Sequence, residues 1–219
     1  MNQKDFWKKE SWQYFQRNYQ DKDLKKIEPS EFVVELLEKH PVEIGGGSIL
    51  DIGCGPAHNL HYLFRELKAG RGVGTESSEQ TVDVLSKNFK EYEFIANNSA
   101  VLPFKTGEFD LVLLRSVLHW IDRNYLLQTL GEAVRVTKKY LIISDFCPRH
   151  PYYSIYGHNR DYKTYKISYQ KLIEELGTIK TLSSFYSRDN DEWNRLQTGL
   201  YEKFAFEEMH SVKSEEDFK

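Results

Sequence analysis

The run Ile49-Leu50-Asp51-Ile52-Gly53-Cys54-Gly55-Pro56 constrains this chain more than any other stretch. An apolar strand closes on an acid, and Gly-x-Gly then turns the backbone sharply into a helix. Glycines let a backbone approach a ligand closely, and open α/β sheets bind ligands where their strands end. A dinucleotide fingerprint would want a third glycine where His58 stands, and the chain has no phosphate loop ending in Gly-Lys-Ser/Thr.

The surroundings supply the rest of such a sheet. Residues 3–19 mix Phe6, Trp7, Trp12, Tyr14, Phe15 and Tyr19 with charges and read as an amphipathic helix. Ser30 in front of Phe32, Val33, Leu36 and Leu37 signals a second helix that stops at Pro41. Strands are predicted over 48–52, 72–75, 93–96, 109–114 and 140–144, alternating with helices over 56–67, 78–89 and 124–136. Short strands alternating with helices define a mostly parallel, doubly wound (Rossmann-like) sheet with helices on both faces. Ser168–Leu176 reads as a helix, and 179–186 and 196–204 as two last strands paired antiparallel. The expected fold is α/β, with a seven-stranded, mostly parallel sheet and an antiparallel C-terminal strand. The expected organisation is a helical cap over 1–42, the α/β domain over 43–206 and an acidic tail over 207–219. Residues 146–167 are rich in Tyr, His, Arg and Pro without clear periodicity and read as a loop or lid.

Composition removes other classes. No apolar run approaches the length of a spanning helix, and the N-terminus lacks the apolar stretch of a secretory signal. A net charge of −3 gives no basic field for nucleic acid. Cys54 and Cys147 make no disulfide framework, and the histidines and cysteines show no metal-ligand spacing. A cytoplasmic protein with reduced thiols is expected.

Asp51 points to the ligand. A carboxylate at the turn repels a pyrophosphate but suits an ammonium or sulfonium group, and S-adenosyl-L-methionine carries both. Glu76 ends the second strand, where an acid can accept hydrogen bonds from both hydroxyls of a ribose.

The glycine turn, Glu76, Leu102-Pro103-Phe104, and Phe109-Asp110-Leu111-Val112 followed by Leu118-His119 together resemble class I S-adenosylmethionine-dependent methyltransferases over residues 48–146. The resemblance implies a cofactor site of Asp51, Gly53, Cys54, Gly55, Glu76 and Ser77, with Asn98 and Ser99 against the adenine and Arg115 at the cofactor's edge. Asn98 departs from the usual acid, though its amide oxygen still accepts hydrogen bonds. Cys54 is expected to be chemically inert. The outer segments Phe6-Trp7, Tyr14, Arg17-Asn18, Pro151-Tyr152, Tyr156-Gly157-His158 and Tyr165-Lys166 look like the pseudaminic acid biosynthesis-associated methylases. That likeness implies a sugar, sugar nucleotide or related anionic small molecule as acceptor.

Tyr14 and Arg17 fall within one helical turn, where an arginine could pair with the cofactor's carboxylate and a tyrosine could cover the sulfonium. Methyl transfer to a hydroxyl benefits from a base. The candidates are His158, expected first in the Tyr-rich segment with Arg160 and Lys163 as anion partners, then His119, with Asp145 also at a strand end. A methyltransferase for an unrelated metabolite, a non-catalytic protein that binds the cofactor, and a nicotinamide-dependent oxidoreductase are the alternative readings.

Overall fold

The computed structural model describes residues 3–175 and 177–204. The acidic tail expected over 207–219 lies outside the described residues. Two helices open the chain, α1 (Gln3–Tyr19) and α2 (Glu31–Lys39). The alternating part follows as β1 (Ser48–Ile52), α3 (His58–Glu66), β2 (Arg71–Glu76), α4 (Glu79–Asn88), β3 (Glu93–Ala96), β4 (Phe109–Arg115), α5 (Arg123–Val136) and β5 (Thr137–Phe146). The C-terminal part holds β6 (Tyr152–Tyr156), β7 (Asn159–Lys166), α6 (Tyr169–Glu174), β8 (Ile179–Ser187) and β9 (Leu196–Lys203).

Seven strands form one sheet in the order β3-β2-β1-β4-β5-β9-β8. The pairings from β3 through β5 are parallel, whereas β9 runs antiparallel between β5 and β8. This is the fold expected from the alternation of short apolar strands and helices. Strand order reverses between β1 and β4, so their carboxyl ends open a crevice, the place where doubly wound sheets bind ligands.

Period-two alternation divides the apolar residues between two cores. Ile49, Leu111, Leu113 and Ile142 face one side with Val33 and Leu36 of α2, Leu60 and Leu63 of α3, and Leu85 of α4. Leu50, Val112, Leu114 and Ile143 face the other with Leu126, Leu130 and Ala133 of α5 and Tyr169 and Ile173 of α6. Strands covered on both faces need continuous apolar runs, which is why Phe109–Arg115 was the plainest strand to read. Ser78 caps α4 by accepting from the Thr81 N–H at 3.2 Å.

One expectation fails. Residues 146–167 are not a structureless loop: Phe146 ends β5, and β6 and β7 pair as an antiparallel hairpin. Its alternation is hidden because the exposed face carries Tyr153 and Ile155, 57% and 58% exposed, while Thr164 and Lys166 point inward. A strand with apolar groups outside and polar groups inside has no hydrophobic period to detect.

Candidate active site

The crevice opens into a cavity of about 1050 Å³. Its floor is the carboxyl ends of β1, β2 and β4, and its roof is α1, which contributes Trp7, Ser11, Trp12, Tyr14 and Phe15. Binding pockets for one small ligand are typically about 300–1,000 Å³, so this one has room for a cofactor and a second molecule. Lys8 and Lys9 of α1 lie on its wall as well.

The glycine turn takes the shape its sequence demands. Gly53 and Gly55 both have positive φ, +68° and +57°. A Cβ on Gly53 would meet Val117 Cγ2 at 2.7 Å, whereas Gly55 borders open space. Asp51 closes β1 beneath this turn and is only 2% exposed. Burial and the nearby Glu76 carboxylate push its pKa up to about 7, with Arg115 and the Leu60 N–H acting against the shift.

Glu76 is engaged on both oxygens. Oε1 accepts the Gly55 N–H at 2.8 Å. Oε2 accepts the Ser11 hydroxyl at 2.9 Å and the Ser77 N–H at 3.1 Å. Burial raises its pKa, and these three donors oppose that rise. Ser11 on α1 thereby fastens the roof to the floor, a role nothing in the spacing of α1 disclosed. Two further bonds help: Ser77 Oγ donates to the Trp7 carbonyl at 3.1 Å, and Trp7 Nε1 donates to the Trp120 carbonyl at 3.1 Å.

At the other end of the cavity, His119 follows β4 and is 5% exposed. Its Nδ1 lies 2.7 Å from Asp145 Oδ1, and Asp145 also accepts the N–H groups of Leu118 and Phe146, each at 2.8 Å. The imidazole packs edge-on against Phe146 and tilts over Trp120. Ser116, two residues beyond Leu114, adopts a left-handed φ of +57° to carry the chain from β4 toward this histidine.

The cavity brings together most of the residues singled out in the sequence: Tyr14, Asp51, Gly53, Cys54, Gly55, Glu76, Ser77, Asn98, Ser99, Arg115 and His119. Cys54 is buried, which pushes its thiol well above its ordinary range, as expected of an inert cysteine.

Two residues are placed elsewhere. Arg17 does not line the cavity: its guanidinium grips Glu10 and donates to the Tyr156 hydroxyl at 3.0 Å. Glu10 is 4% exposed and also accepts the Tyr156 O–H at 2.7 Å. A carboxylate buried this deeply requires a cation, and Arg17, seven residues on and on the same helical face, supplies it. His158 sits exposed on the turn between β6 and β7, its ring against Tyr156, and is outside the cavity lining. The hairpin buries Tyr156 and thereby turns His158 to solvent. Arg160 and Lys163 are exposed on the same hairpin.

Two residues of the site went unnoticed in the sequence. His58, read only as a missing glycine, lines the cavity, and burial together with Arg115 lowers its pKa to about 4. Asn97 lies one residue beyond β3 on the same wall. The buried side-chain atoms without a hydrogen-bond partner among the described residues include Asp51 Oδ2, His58 Nδ1, Thr81 Oγ1 and Asn97 Oδ1, and all four residues line this cavity. Buried polar atoms are rarely left unpaired, so such a concentration marks a place where a polar ligand completes the structure. Asp51, with one oxygen unpartnered beside a tight glycine turn and Glu76 at the next strand end, fits a cationic nucleoside, whose charge would favour the ionised carboxylate.

Comparison with known proteins agrees with this geometry. Residues 49–140 match the model of a methyltransferase domain. The phthiotriol/phenolphthiotriol dimycocerosates methyltransferase 1 of Mycobacterium ulcerans is 27% identical over 111 residues, 49% of this chain and 40% of that protein. The match therefore spans about two fifths of this relative's length. Among solved structures, a chain of the complex between the Haloferax volcanii Trm112 methyltransferase activator and a methyltransferase superposes with a TM-score of 0.70. That match covers 94% of this chain and 100% of that one at 16% identity. The Burkholderia thailandensis 1,6-didemethyltoxoflavin-N1-methyltransferase, solved with 1,6-didemethyltoxoflavin and S-adenosylhomocysteine, superposes with a TM-score of 0.66 at 16% identity, covering 93% and 87% of the two chains.

Residues 49–140 thus resemble a methyltransferase domain, and the chain shares the fold of these solved structures.

Proposed function

We propose that this chain transfers a methyl group from S-adenosyl-L-methionine to a hydroxyl or amine of a small, sugar-like metabolite, with His119 as general base. The observation that carries the reading is one cavity holding an acid with one unpartnered oxygen at the glycine turn, a second acid at the next strand end, and a carboxylate-held histidine. When bound, the cofactor supplies an electrophilic methyl group on a sulfonium and leaves as S-adenosyl-L-homocysteine.

The chain's own residues do the rest. Asp51, Gly53, Cys54, Gly55, Ser77 and Arg115 receive the amino-acid end and sulfonium of the cofactor, Glu76 the ribose, and the 97–99 segment the base. Glu76 would accept a ribose hydroxyl where it now accepts the Ser11 hydroxyl. Asp145 accepts a hydrogen bond from His119 Nδ1–H, leaving Nε2 to accept the proton of the acceptor hydroxyl as its oxygen attacks. Trp7, Tyr14 and Trp120 cover the reacting groups and keep water out, so alignment contributes a large part of the rate.

The sugar-like acceptor is supported by the outer segments that look like the pseudaminic acid biosynthesis-associated methylases. It is also supported by a wall that mixes stacking groups (Trp120, Tyr125) with hydrogen-bonding ones (His119, Asp122). An anionic group on the acceptor would meet Lys8 and Lys9 rather than Arg160 and Lys163. Cytoplasmic work is consistent with the free thiols of Cys54 and Cys147, and no helix among the described residues is long and apolar enough to cross a membrane.

The test is calorimetric binding of S-adenosylmethionine and S-adenosylhomocysteine to the wild type, Asp51→Ala and Glu76→Ala, followed by an acceptor screen of nucleotide sugars, free sugars and unrelated amines and phenols. Binding lost in both variants and turnover with a sugar-type acceptor are expected. Turnover confined to a phenol or a heteroaromatic nitrogen would overturn the acceptor class, and absence of binding would overturn the whole reading.

A further inference from the structure

The β6–β7 hairpin buries a cation beside the His119–Asp145 pair. Lys166 ends β7 and is only 9% exposed. Its Nζ donates to the Ser154 hydroxyl at 2.7 Å and to the Thr164 hydroxyl at 2.9 Å. The ammonium also lies 4.9 Å from the ring centre of Phe146 and 5.2 Å from that of Tyr152. β7 packs against the turn Leu118–Trp120, which carries His119. Phe146 touches both groups, for the ring that receives the ammonium also meets the imidazole, with centroids 4.8 Å apart.

Burying an ammonium is costly unless a charge answers it. The two hydroxyls are neutral, and the charge that answers is Asp145. Burial lowers the pKa of Lys166, and this carboxylate opposes the fall. Asp145 is itself 3% exposed, with its oxygens spent on the N–H groups of Leu118 and Phe146 and on His119. Tyr169 of α6 also feels Asp145, but burial raises its pKa and keeps it neutral.

We propose that Lys166 is a positioning residue whose charge balances Asp145, so that the His119–Asp145 pair takes up no second proton and His119 Nε2 stays free. The inference rests on the reading of His119 as the base. Without the ammonium, the buried pair would recover the lost charge by binding one proton from solvent. That proton ends on His119, giving an imidazolium, or on Asp145, which then donates to Nδ1. In both forms Nε2 carries a hydrogen and cannot act as a base. Lys166 does not line the cavity, so it acts through Asp145 and Phe146 and not on the acceptor.

The experiment is nitrogen NMR near neutral pH on the full chain with isotope-labelled histidine, as wild type, Lys166→Met, Lys166→Gln and Lys166→Arg, each with a thermal melt to verify folding. The His119 signal is assigned by its loss in His119→Ala. The wild type is expected to show hydrogen on Nδ1 and a bare Nε2. Both neutral variants should carry hydrogen on Nε2, lose about tenfold in kcat and regain rate as pH rises, with cofactor affinity within about twofold of wild type. Lys166→Gln keeps a donor for Ser154 and Thr164, which separates the charge from those hydrogen bonds. Lys166→Arg restores the charge and should return Nε2 to its bare form. A neutral variant that folds and keeps Nε2 bare overturns the proposal, as does a rate loss that pH does not relieve. Unfolding of both neutral variants would make the charge structural and overturn it as well. Turnover unaffected by His119→Ala would instead overturn the base assignment, a result on which the NMR measurement does not depend.

Discussion

Asp145 holds His119 by a 2.7 Å contact between Oδ1 and Nδ1, while the backbone N–H groups of Leu118 and Phe146 pin the same carboxylate from two sides. One acid thus sets both the orientation of the ring and its tautomer, because a carboxylate already accepting two N–H groups takes a third hydrogen from Nδ1. The free nitrogen is then Nε2, on a ring that lines the cavity.

His119→Ala is accordingly expected to lower kcat by about 10²–10⁴, the usual worth of a positioned base, while cofactor affinity changes by no more than about twofold. Asp145→Asn should lower it too, since an amide cannot accept from three N–H donors with one oxygen. His158→Ala should leave the rate within about twofold, as surface substitutions generally do. Initial rates with a competent acceptor, set beside calorimetric cofactor binding, test all three. Full activity in His119→Ala together with loss in His158→Ala would reverse the assignment.

Asp51 makes cofactor binding depend on pH. Its pKa of about 7 leaves the carboxyl largely neutral below that pH and ionised above it. Affinity for S-adenosylmethionine should rise as pH passes upward through 7, and Asp51→Asn should flatten the curve. Stability without cofactor runs the other way. A carboxyl whose pKa is raised in the folded state contributes stability below its unfolded value, and that contribution is lost as pH rises through about 7. Thermal melts between pH 4 and pH 8 on the wild type and Asp51→Asn should show a fall that the variant lacks.

The Glu10–Arg17–Tyr156 cluster ties α1 to the β6–β7 hairpin away from the cavity. Arg17→Met should destabilise the fold by about 1–3 kcal/mol, because buried Glu10 loses a charged partner. Tyr156→Phe should cost about 0.5–1.5 kcal/mol, and the double variant should depart from additivity, since both residues share one acceptor. Urea denaturation measures these changes. Cofactor affinity of the folded Arg17→Met variant should stay near wild type, and a large loss would return Arg17 to the cofactor site.

Gly53 and Gly55 offer a matched pair. Both have positive φ, but only Gly53 faces a neighbour that a Cβ would strike, Val117 Cγ2 at 2.7 Å. Gly55→Ala carries backbone strain alone, about 1 kcal/mol, whereas Gly53→Ala adds a collision and should cost about 1–3 kcal/mol. Gly53→Ala should also weaken S-adenosylhomocysteine binding more than Gly55→Ala does. Equal effects in melts and calorimetry would mean that Val117 moves aside freely.

Local order made much of this molecule readable. Strand β4 is apolar on both faces because helices cover both, and no other common element needs so short and continuous a run. The turn after β1 is legible because Gly53 and Gly55 occupy backbone conformations that side chains resist. With β2 ending on Glu76, these features sufficed to anticipate the fold and the cavity floor.

Only tertiary structure decided which polar side chains reach that cavity. Arg17 and Tyr14 sit on one helical turn, yet the depth of Glu10 draws the arginine away. His158 follows a tyrosine-rich stretch and His119 an apolar strand, yet the hairpin turns the first to solvent while Asp145, 26 residues distant, holds the second in the cavity wall. Asn97 and Asn98 are chemically identical neighbours separated only by which one Ala100 engages. Backbone conformation is written in short-range sterics, and a sequence shows it. The partner of a hydrogen-bonding group is chosen among residues far apart in the chain, and that choice exists only once the chain has folded.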